Sequence, residues 1–221
     1  MPIVKHYFNN EDKLTQKIYT DFKKERQKIN SLNQVVALAG GSTPEKLYTL
    51  LGQEDWNNVC FTLSDERLLA HNHIGRNETL LYQTLFKNTP NPDFFSLAPL
   101  NFNQQTLEKS LNEAWLSQNK KLHLVLLGMG EDGHIASLFP PQEYVENDPK
   151  IFIETKGPMP FPNRIGLSFN ALCETSIIFL FIKGAKKKEI LEKALLKEDT
   201  NLPISILLAH SKKSIHVYWA E

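Results

Sequence analysis

Residues 124–140 read LVLLGMGEDGHIASLFP, a continuous apolar run that leads into a turn with three glycines. The run does not alternate between apolar and polar residues, so we expect a strand covered on both faces, as in a parallel sheet flanked by helices. Gly128, Gly130 and Gly133 also follow the G-x-G-x-x-G spacing of dinucleotide-binding loops. The segment therefore predicts an α/β fold and leaves open what its glycine turn binds.

Strand-like runs recur along the chain and alternate with helix-like segments, which is typical of a layered α/β domain. The predicted strands begin at Gln34, Asn58, Leu122, Ile151, Arg164, Ser176 and Ser214. The predicted helices span residues 11–29, 43–51, 77–86, 104–118 and 184–196, with a further short helix after Gly133. We predict a three-layer αβα, Rossmann-like sandwich with a largely parallel central sheet.

Length and charge narrow the class of protein. A chain of 221 residues can bury a sizeable core, and no shift in composition marks a boundary, so we predict a single domain over residues 1–221. The 25 basic and 25 acidic side chains balance, which predicts neither a nucleic-acid nor a membrane partner. A small-molecule substrate is expected, and a monomer is favoured, with an oligomer left open as the alternative.

The cysteines and the apolar runs indicate the compartment. Cys60 and Cys173 lack any C-x-x-C spacing, so we expect reduced, packed thiols and no zinc site. The longest apolar run, IIFLFI at residues 177–182, is far shorter than a membrane span, and the N-terminal residues lack a signal-peptide pattern. These observations predict a cytoplasmic protein.

The loop after the first predicted strand reads AGGSTPEKLY, residues 39–48. Gly40 and Gly41 allow a sharp turn, and a helix beginning near Thr43 would direct its free amides and its positive dipole end toward an anion, most naturally a phosphate. Ser42 and Glu45 also fit a capping box, which needs no ligand. Both interpretations, phosphate loop and plain helix cap, are compatible with the sequence.

A second loop places Asp65, Glu66 and Arg67 at the end of an apolar strand. Ligands of open α/β sheets gather beyond the carboxyl ends of strands, so Asp65 and Arg67 are candidate site residues, although a solvated turn would look the same. His71 and His73 lie two residues apart with no further ligands nearby in sequence. We interpret them as surface histidines rather than a metal pair.

The glycine turn of residues 128–134 fits a nucleotide poorly. A dinucleotide loop needs a long helix after its last glycine, and Pro140 stops any helix here early. His134 can accept a proton near neutral pH, and Asp132 could orient its ring. We therefore predict a general base at His134. A packed histidine without catalytic duty and an NAD-dependent enzyme are the alternatives.

Basic residues stand at the edges of two later strands. Arg164 begins one strand, and Lys183 and the lysines at 186–188 follow another. If the sheet brings these edges to the GGSTP loop, Arg164 and one lysine could complete a phosphate clamp. Otherwise the lysine run is a solvated helix face.

Four motifs in this order resemble the 6-phosphogluconolactonase family: AGGSTPEKLY at 39–48, FTLSDER at 61–67, LLGMGEDGHIASLFP at 126–140, and RIGLSFNAL at 164–172 followed by IKGAKKKEIL at 182–191. The resemblance implies hydrolysis of 6-phospho-D-glucono-1,5-lactone to 6-phosphogluconate, the second step of the oxidative pentose phosphate pathway. It also implies a Rossmann-like fold that uses neither a nucleotide cofactor nor a metal.

The resemblance further assigns roles to residues. It implies four catalytic residues: His134 as the general base with Asp132 beside it, and Asp65 and Arg67, which line the active site and of which Arg67 stabilises negative charge on the substrate. It implies a second set that binds the substrate and its phosphate: Gly40, Gly41, Ser42, Thr43, Asn77, Arg164 and Lys187. The chain departs from the family pattern at Arg76, Gly157 and Gly166, where we expect altered local contacts.

Two alternatives share part of this pattern. The related glucosamine-6-phosphate deaminase/isomerase family has the same fold and phosphate loop but continues with F-N-E-P after D-G-H-I-A. Here residues 137–140 are Ser-Leu-Phe-Pro, so that family's glutamate is absent. A non-catalytic sugar-phosphate sensor is the other alternative.

Overall fold

The computed structural model describes residues 3–31, 33–56, 58–141 and 148–221. The strands are β1 (Ile3–Phe8), β2 (Gln34–Leu38), β3 (Cys60–Leu63), β4 (Asp65–Arg67), β5 (Lys121–Leu127), β6 (Phe152–Lys156), β7 (Asn163–Leu167), β8 (Ile177–Lys183) and β9 (Ser214–Ala220). The helices are α1 (Glu11–Arg26), α2 (Glu45–Leu51), α3 (Asn77–Gln83), α4 (Leu107–Ser117), α5 (Phe169–Glu174), α6 (Ala185–Leu196) and α7 (Pro203–His210).

The central sheet has six parallel strands in the order β1-β9-β8-β5-β2-β3. The continuous apolar runs are its middle strands: β8 is buried from Ile177 to Ile182, and β5 is buried from His123 to Leu127. Helices flank the sheet, with α1 packed on α2 and α7 packed on α5 and α6. The predicted αβα architecture with a parallel sheet is confirmed.

A second, smaller sheet was not predicted. The chain leaves β3 at Ser64 and continues as β4, which pairs antiparallel with β7, and β7 pairs antiparallel with β6. In this register Asp65 lies opposite Gly166, and Arg67 lies opposite Arg164. Two loops almost 100 residues apart in sequence are thereby joined by backbone hydrogen bonds at the edge of the central sheet.

Several predicted boundaries change. The short helix predicted after Gly133 is wrong, because residues 131–140 form turns in which Gly133 and Ala136 adopt positive φ values of 79° and 48°. A right-handed helix cannot pass through such residues. Strand β1 and helices α5 and α7 were not predicted; the α7 sequence, PISILLAH, lacks helical periodicity because it is buried almost all round.

Two compositional predictions can be compared with the structure. Cys60 and Cys173 are both buried and reduced, as expected. Among the helices of the described ranges, none combines the length and the apolar character that a membrane crossing requires.

A stack of rings lies between the neighbouring strands β1 and β9 and helix α1. The ring of His6 on β1 stacks on Tyr218 of β9, with centroids 4.6 Å apart, and on His216 at 5.4 Å. The Tyr218 hydroxyl donates to Asp21 of α1 at 2.8 Å, and Lys17 pairs with the same carboxylate. Burial is the main cause that lowers the pKa of both His6 and His216 below 6.5.

These lowered pKa values predict acid-sensitive stability. Below pH 6.5 the unfolded chain binds protons that the folded His6 and His216 resist, so the free energy of unfolding falls as the pH drops toward their folded pKa values. Urea denaturation at pH 7.5 and 5.5 should show a smaller loss for His216→Gln than for the wild type. His71→Gln, at an exposed position, should lose as much as the wild type. Equal losses in all three proteins would contradict the prediction.

Candidate active site

A cleft of about 420 Å³ opens at the carboxyl ends of β2, β3, β5 and β8. This is the edge at which parallel α/β sheets bind their ligands. Every site residue predicted from the sequence lines the cleft except Asp132, which reaches it through His134. The lining residues among them are Gly40, Gly41, Ser42, Thr43, Asp65, Arg67, Asn77, His134, Arg164 and Lys187.

His134 and Asp132 form a direct pair. The Nδ1 of His134 lies 2.6 Å from Oδ1 of Asp132, which also accepts the backbone N–H of His134 at 3.2 Å. Partial burial favours a higher pKa for Asp132, but the hydrogen bonds from His134 outweigh burial and hold this pKa below its usual value. An ionised Asp132 fixes the proton on Nδ1, which leaves Nε2 of His134 able to accept a proton.

The glycines of this turn make room for the pair. A Cβ on Gly130 would overlap the His134 ring and the Asp132 carboxylate, whereas a Cβ on Gly128 would meet nothing within 4 Å. The Gly130 N–H donates to the carbonyl of His134 at 2.9 Å, which closes the turn. Because no helix follows Gly133, the turn lacks the element on which a dinucleotide loop depends.

The GGST loop contacts the start of α3. A Cβ on Gly40 would overlap the Asn77 side chain, and the Asn77 amide donates to the carbonyl of Asp65 at 2.7 Å. The predicted capping box is wrong, because α2 begins at Glu45 with Pro44 as its N-cap and no side chain caps it. Ser42 instead accepts the Glu45 N–H through its own carbonyl at 3.4 Å.

Two guanidinium groups form a cationic corner of the cleft. Arg67 and Arg164 are partners across β4 and β7, and the Arg164 Nε donates to the Phe161 carbonyl at 2.7 Å. Burial, followed by the charge of Arg67, lowers the pKa of Arg164, while Asp65 opposes the shift. Two partly desolvated like charges of this kind attract an anion that neutralises them.

The lysine run divides among three environments. Lys187 lines the cleft, and burial lowers its pKa. Lys186 is exposed and pairs with Glu131 at 2.5 Å, whereas the Lys188 ammonium lies 4.4 Å from the centroid of the Trp219 ring. The clamp predicted from Arg164 and one lysine is therefore geometrically available with Lys187.

Sequence reasoning missed the buried charges behind the cleft. Glu66 is fully buried and accepts the backbone N–H groups of Arg67 at 2.6 Å and of Asn77 and Glu78 at 2.8 Å. Burial raises the pKa of Glu66 to about 7 despite these donors. Its carboxyl group ties the start of α3 to β4 and thereby holds Asn77 in place. The signal in the sequence was the charged triplet Asp65, Glu66 and Arg67, which closely follows a buried strand.

The structure shows what surrounds two of the positions that depart from the family pattern, Arg76 and Gly157. Arg76 is buried behind the cleft and donates to Glu78 and to the Ala98 carbonyl, both at 2.7 Å. A Cβ on Gly157 would press on the Phe139 ring. His71 and His73 are exposed as predicted, and the described residues contain no group of three or more His, Cys, Asp or Glu side chains arranged for a metal ion.

A parallel αβα sheet with a histidine–carboxylate pair and a cationic corner at its carboxyl edge is the arrangement of an α/β enzyme that binds an anionic substrate. The family described as glucosamine-6-phosphate isomerases/6-phosphogluconolactonase matches residues 9–219. The chain belongs to this family.

Relatives and solved structures agree with that assignment. The chain is 36% identical over 192 residues to the 6-phosphogluconolactonase of Helicobacter pylori strain J99, covering 84% of this chain and 83% of that protein. It is 30% identical over 198 residues to the enzyme of Neisseria meningitidis serogroup A, covering 85% of each. The 6-phosphogluconolactonase structure from Shewanella baltica superposes with a TM-score of 0.88 at 27% identity, covering 100% and 98% of the two chains.

A monomeric glucosamine-6-phosphate deaminase superposes with a TM-score of 0.81 at 17% identity, covering 97% of this chain and 96% of that one. This likeness shows a common fold only, so the choice between the two activities depends on the residues of the cleft.

The packing of Gly130 predicts the effect of a single methyl group. Gly130→Ala should displace the His134 ring and break its Nδ1 bond to Asp132, because the new Cβ overlaps both groups. The ¹⁵N chemical shifts of the His134 ring report this bond by NMR. Gly128→Ala is the matched control and should leave the shifts as in the wild type. Unchanged shifts in Gly130→Ala would refute the steric explanation.

Proposed function

We propose that the protein hydrolyses 6-phospho-D-glucono-1,5-lactone to 6-phosphogluconate. The observation that carries this proposal is the shared cleft, in which the His134–Asp132 pair and the cationic corner of Arg67 and Arg164 face one volume. Relatives named 6-phosphogluconolactonase support it at 30–36% identity over most of the chain. A lactone is a cyclic ester, so its hydrolysis needs an activated water, charge stabilisation and a grip on the substrate.

The His134 ring supplies the base in this proposal. Neutral Nε2 takes a proton from water as the water oxygen bonds to C1, and the carbonyl oxygen becomes an oxyanion. Asp132 stabilises the imidazolium that results. Collapse of the oxyanion breaks the bond between C1 and the ring oxygen, and His134 returns the proton to the leaving alkoxide. The Arg67 guanidinium, which lies on the same short strand as Asp65, stabilises the negative charge at the reacting end of the substrate.

In this proposal the substrate is bound mainly through its phosphate group. The GGST loop, residues 40–43, together with Arg164 and Lys187, surrounds one part of the cleft and offers backbone amides, a guanidinium fork and an ammonium. Binding energy from this remote group holds C1 at the base, which raises turnover rather than affinity alone. A volume of about 420 Å³ lies within the range of small-molecule sites.

We further propose that residues 1–221 act as one domain, since β1 pairs with β9 in the same sheet that carries the cleft. The ester-hydrolase activity would belong to the class of carboxylic ester hydrolases.

One experiment tests the function against its rivals. Purified protein receives freshly generated 6-phosphogluconolactone, and proton release is followed against the enzyme-free rate, because the lactone also opens spontaneously. Turnover well above background is expected. Turnover of glucosamine-6-phosphate in a parallel assay would instead support the deaminase, nicotinamide-cofactor binding would support a dehydrogenase, and 6-phosphogluconate binding without any turnover would support a sensor.

Loss of the His134 ring should abolish base catalysis. His134→Ala should lower kcat by about 10²-fold or more, since a positioned general base contributes at least that factor. Steady-state kinetics measure the change, and the melting temperature controls for folding. A folded variant that keeps wild-type kcat would remove His134 from the base role.

Loss of the Lys187 ammonium should weaken substrate binding. Lys187→Ala should raise KM about tenfold, with a smaller effect on kcat, because a charge-assisted hydrogen bond to the phosphate is lost. Lys186→Ala is the matched control, since its ammonium pairs with Glu131 on the surface, and its KM should change less than about twofold. Equal KM values for the two variants would place Lys187 outside the site.

A further inference from the structure

The carboxylate of Asp65 sits between a serine and an arginine. Asp65 is buried, with 8% of its surface exposed. Its Oδ2 accepts a short hydrogen bond from the Ser137 hydroxyl, and its Oδ1 accepts the Ser64 hydroxyl at 3.2 Å. Arg164 Nη1 lies 4.0 Å from the same Oδ2. That distance is too long for a hydrogen bond, so the Arg164 guanidinium interacts electrostatically with the carboxylate but is not hydrogen-bonded to it.

Ser137 lies in a buried turn of the chain. It is buried, with 1% exposure, and it lies in the tight turn that Ile135 and Leu138 close by a backbone hydrogen bond of 2.9 Å. The backbone of this turn, which directly follows His134, therefore places the Ser137 side chain beside Asp65.

Arg164 is held from its other side. Its Nε donates to the Phe161 carbonyl at 2.7 Å, and its guanidinium carbon lies 6.0 Å from the centroid of the Phe139 ring. These contacts leave the Nη groups as the part of the side chain that can bind a ligand in the cleft. A direct carboxylate–guanidinium pair would occupy the same donors that an anionic substrate needs.

We propose that Ser137 is a positioning residue that keeps Arg164 available for the substrate's phosphate by occupying the Asp65 oxygen nearest to it. Without the hydroxyl, a buried carboxylate oxygen loses its donor, and such oxygens recruit a replacement. Arg164 Nη1 needs to move by only about 1 Å to reach hydrogen-bond distance. Asp65 then competes with the phosphate for the guanidinium. The inference rests on the proposed function, which supplies the phosphate.

Ser137→Ala tests the inference, with Ser168→Ala as the matched control. Ser168 is also buried, and its hydroxyl donates to the Lys150 carbonyl at 2.7 Å, at the end of β7 away from Arg164. Calorimetry on the full chain measures binding of inorganic phosphate and of 6-phosphogluconate. Ser137→Ala should weaken both about tenfold, since the charge-assisted bonds of Arg164 are partly lost. KM should rise by a similar factor with kcat changed less than about threefold.

A double variant separates this explanation from a general loss of order. Asp65→Asn removes the charge that would capture Arg164, so adding Ser137→Ala to Asp65→Asn should not weaken phosphate binding further. Additive losses, unchanged phosphate binding in Ser137→Ala, or an equal loss in Ser168→Ala would each overturn the inference.

Because phosphate binding and lactone turnover are measured separately, failure of the proposed function can be distinguished from failure of the proposed role of Ser137. If the wild type binds phosphate but turns over no lactone, the proposed function fails while a tenfold loss in Ser137→Ala still supports the role of Ser137. If the wild type turns over the lactone and Ser137→Ala lowers kcat alone, the function stands and the inference is overturned.

Discussion

The antiparallel pairing of β4 with β7 is the contact on which the cleft depends. It places Arg67 beside Arg164 and Asp65 beside Gly166, so both charge types of the corner come from one short ladder. Gly166 permits the approach, because a Cβ there would lie 2.9 Å from the Cβ of Asp65. The cationic corner is thus built by backbone hydrogen bonds, which fix the two guanidinium groups despite their mutual repulsion.

The buried charges behind this ladder serve the same end. Glu66 accepts two backbone donors at the start of α3, from Asn77 and Glu78, and a third from Arg67 in β4. The first N–H groups of a helix otherwise lack partners within it. Arg76 then lies 3.6 Å from that carboxylate and bonds to Glu78. Because each charge has a partner, the network can hold Asn77 against Gly40 without the penalty of an isolated buried ion.

Local rules predicted the parallel sheet and the place of Asp65, Arg67 and His134 at its edge, whereas Asn77 and Lys187 were expected only from the family resemblance. Continuous apolar runs indicate strands covered on both faces, and polar residues directly after such runs lie at one edge. The second sheet could not be predicted in this way, because the pairing of β4 with β7 joins segments far apart in sequence.

The helix predicted after Gly133 was wrong because positive φ values at Gly133 and Ala136 are not visible in residue type alone. Glu66 was missed because adjacent charged residues usually indicate a turn that is exposed to solvent. The monomeric state and the cytoplasmic location stay predictions.

The three consecutive lysines of α6 show how a helix can place neighbouring side chains of one type in different electrostatic environments. Successive residues point about 100° apart around a helix axis, so adjacent side chains meet different surroundings. Burial lowers the pKa of Lys187, whereas the hydrogen bond to Glu131 raises the pKa of Lys186. One peptide bond thus separates two amines whose pKa values are shifted in opposite directions. At mildly alkaline pH the larger neutral, nucleophilic fraction belongs to Lys187, which makes the cleft amine the preferred target of an acylating label.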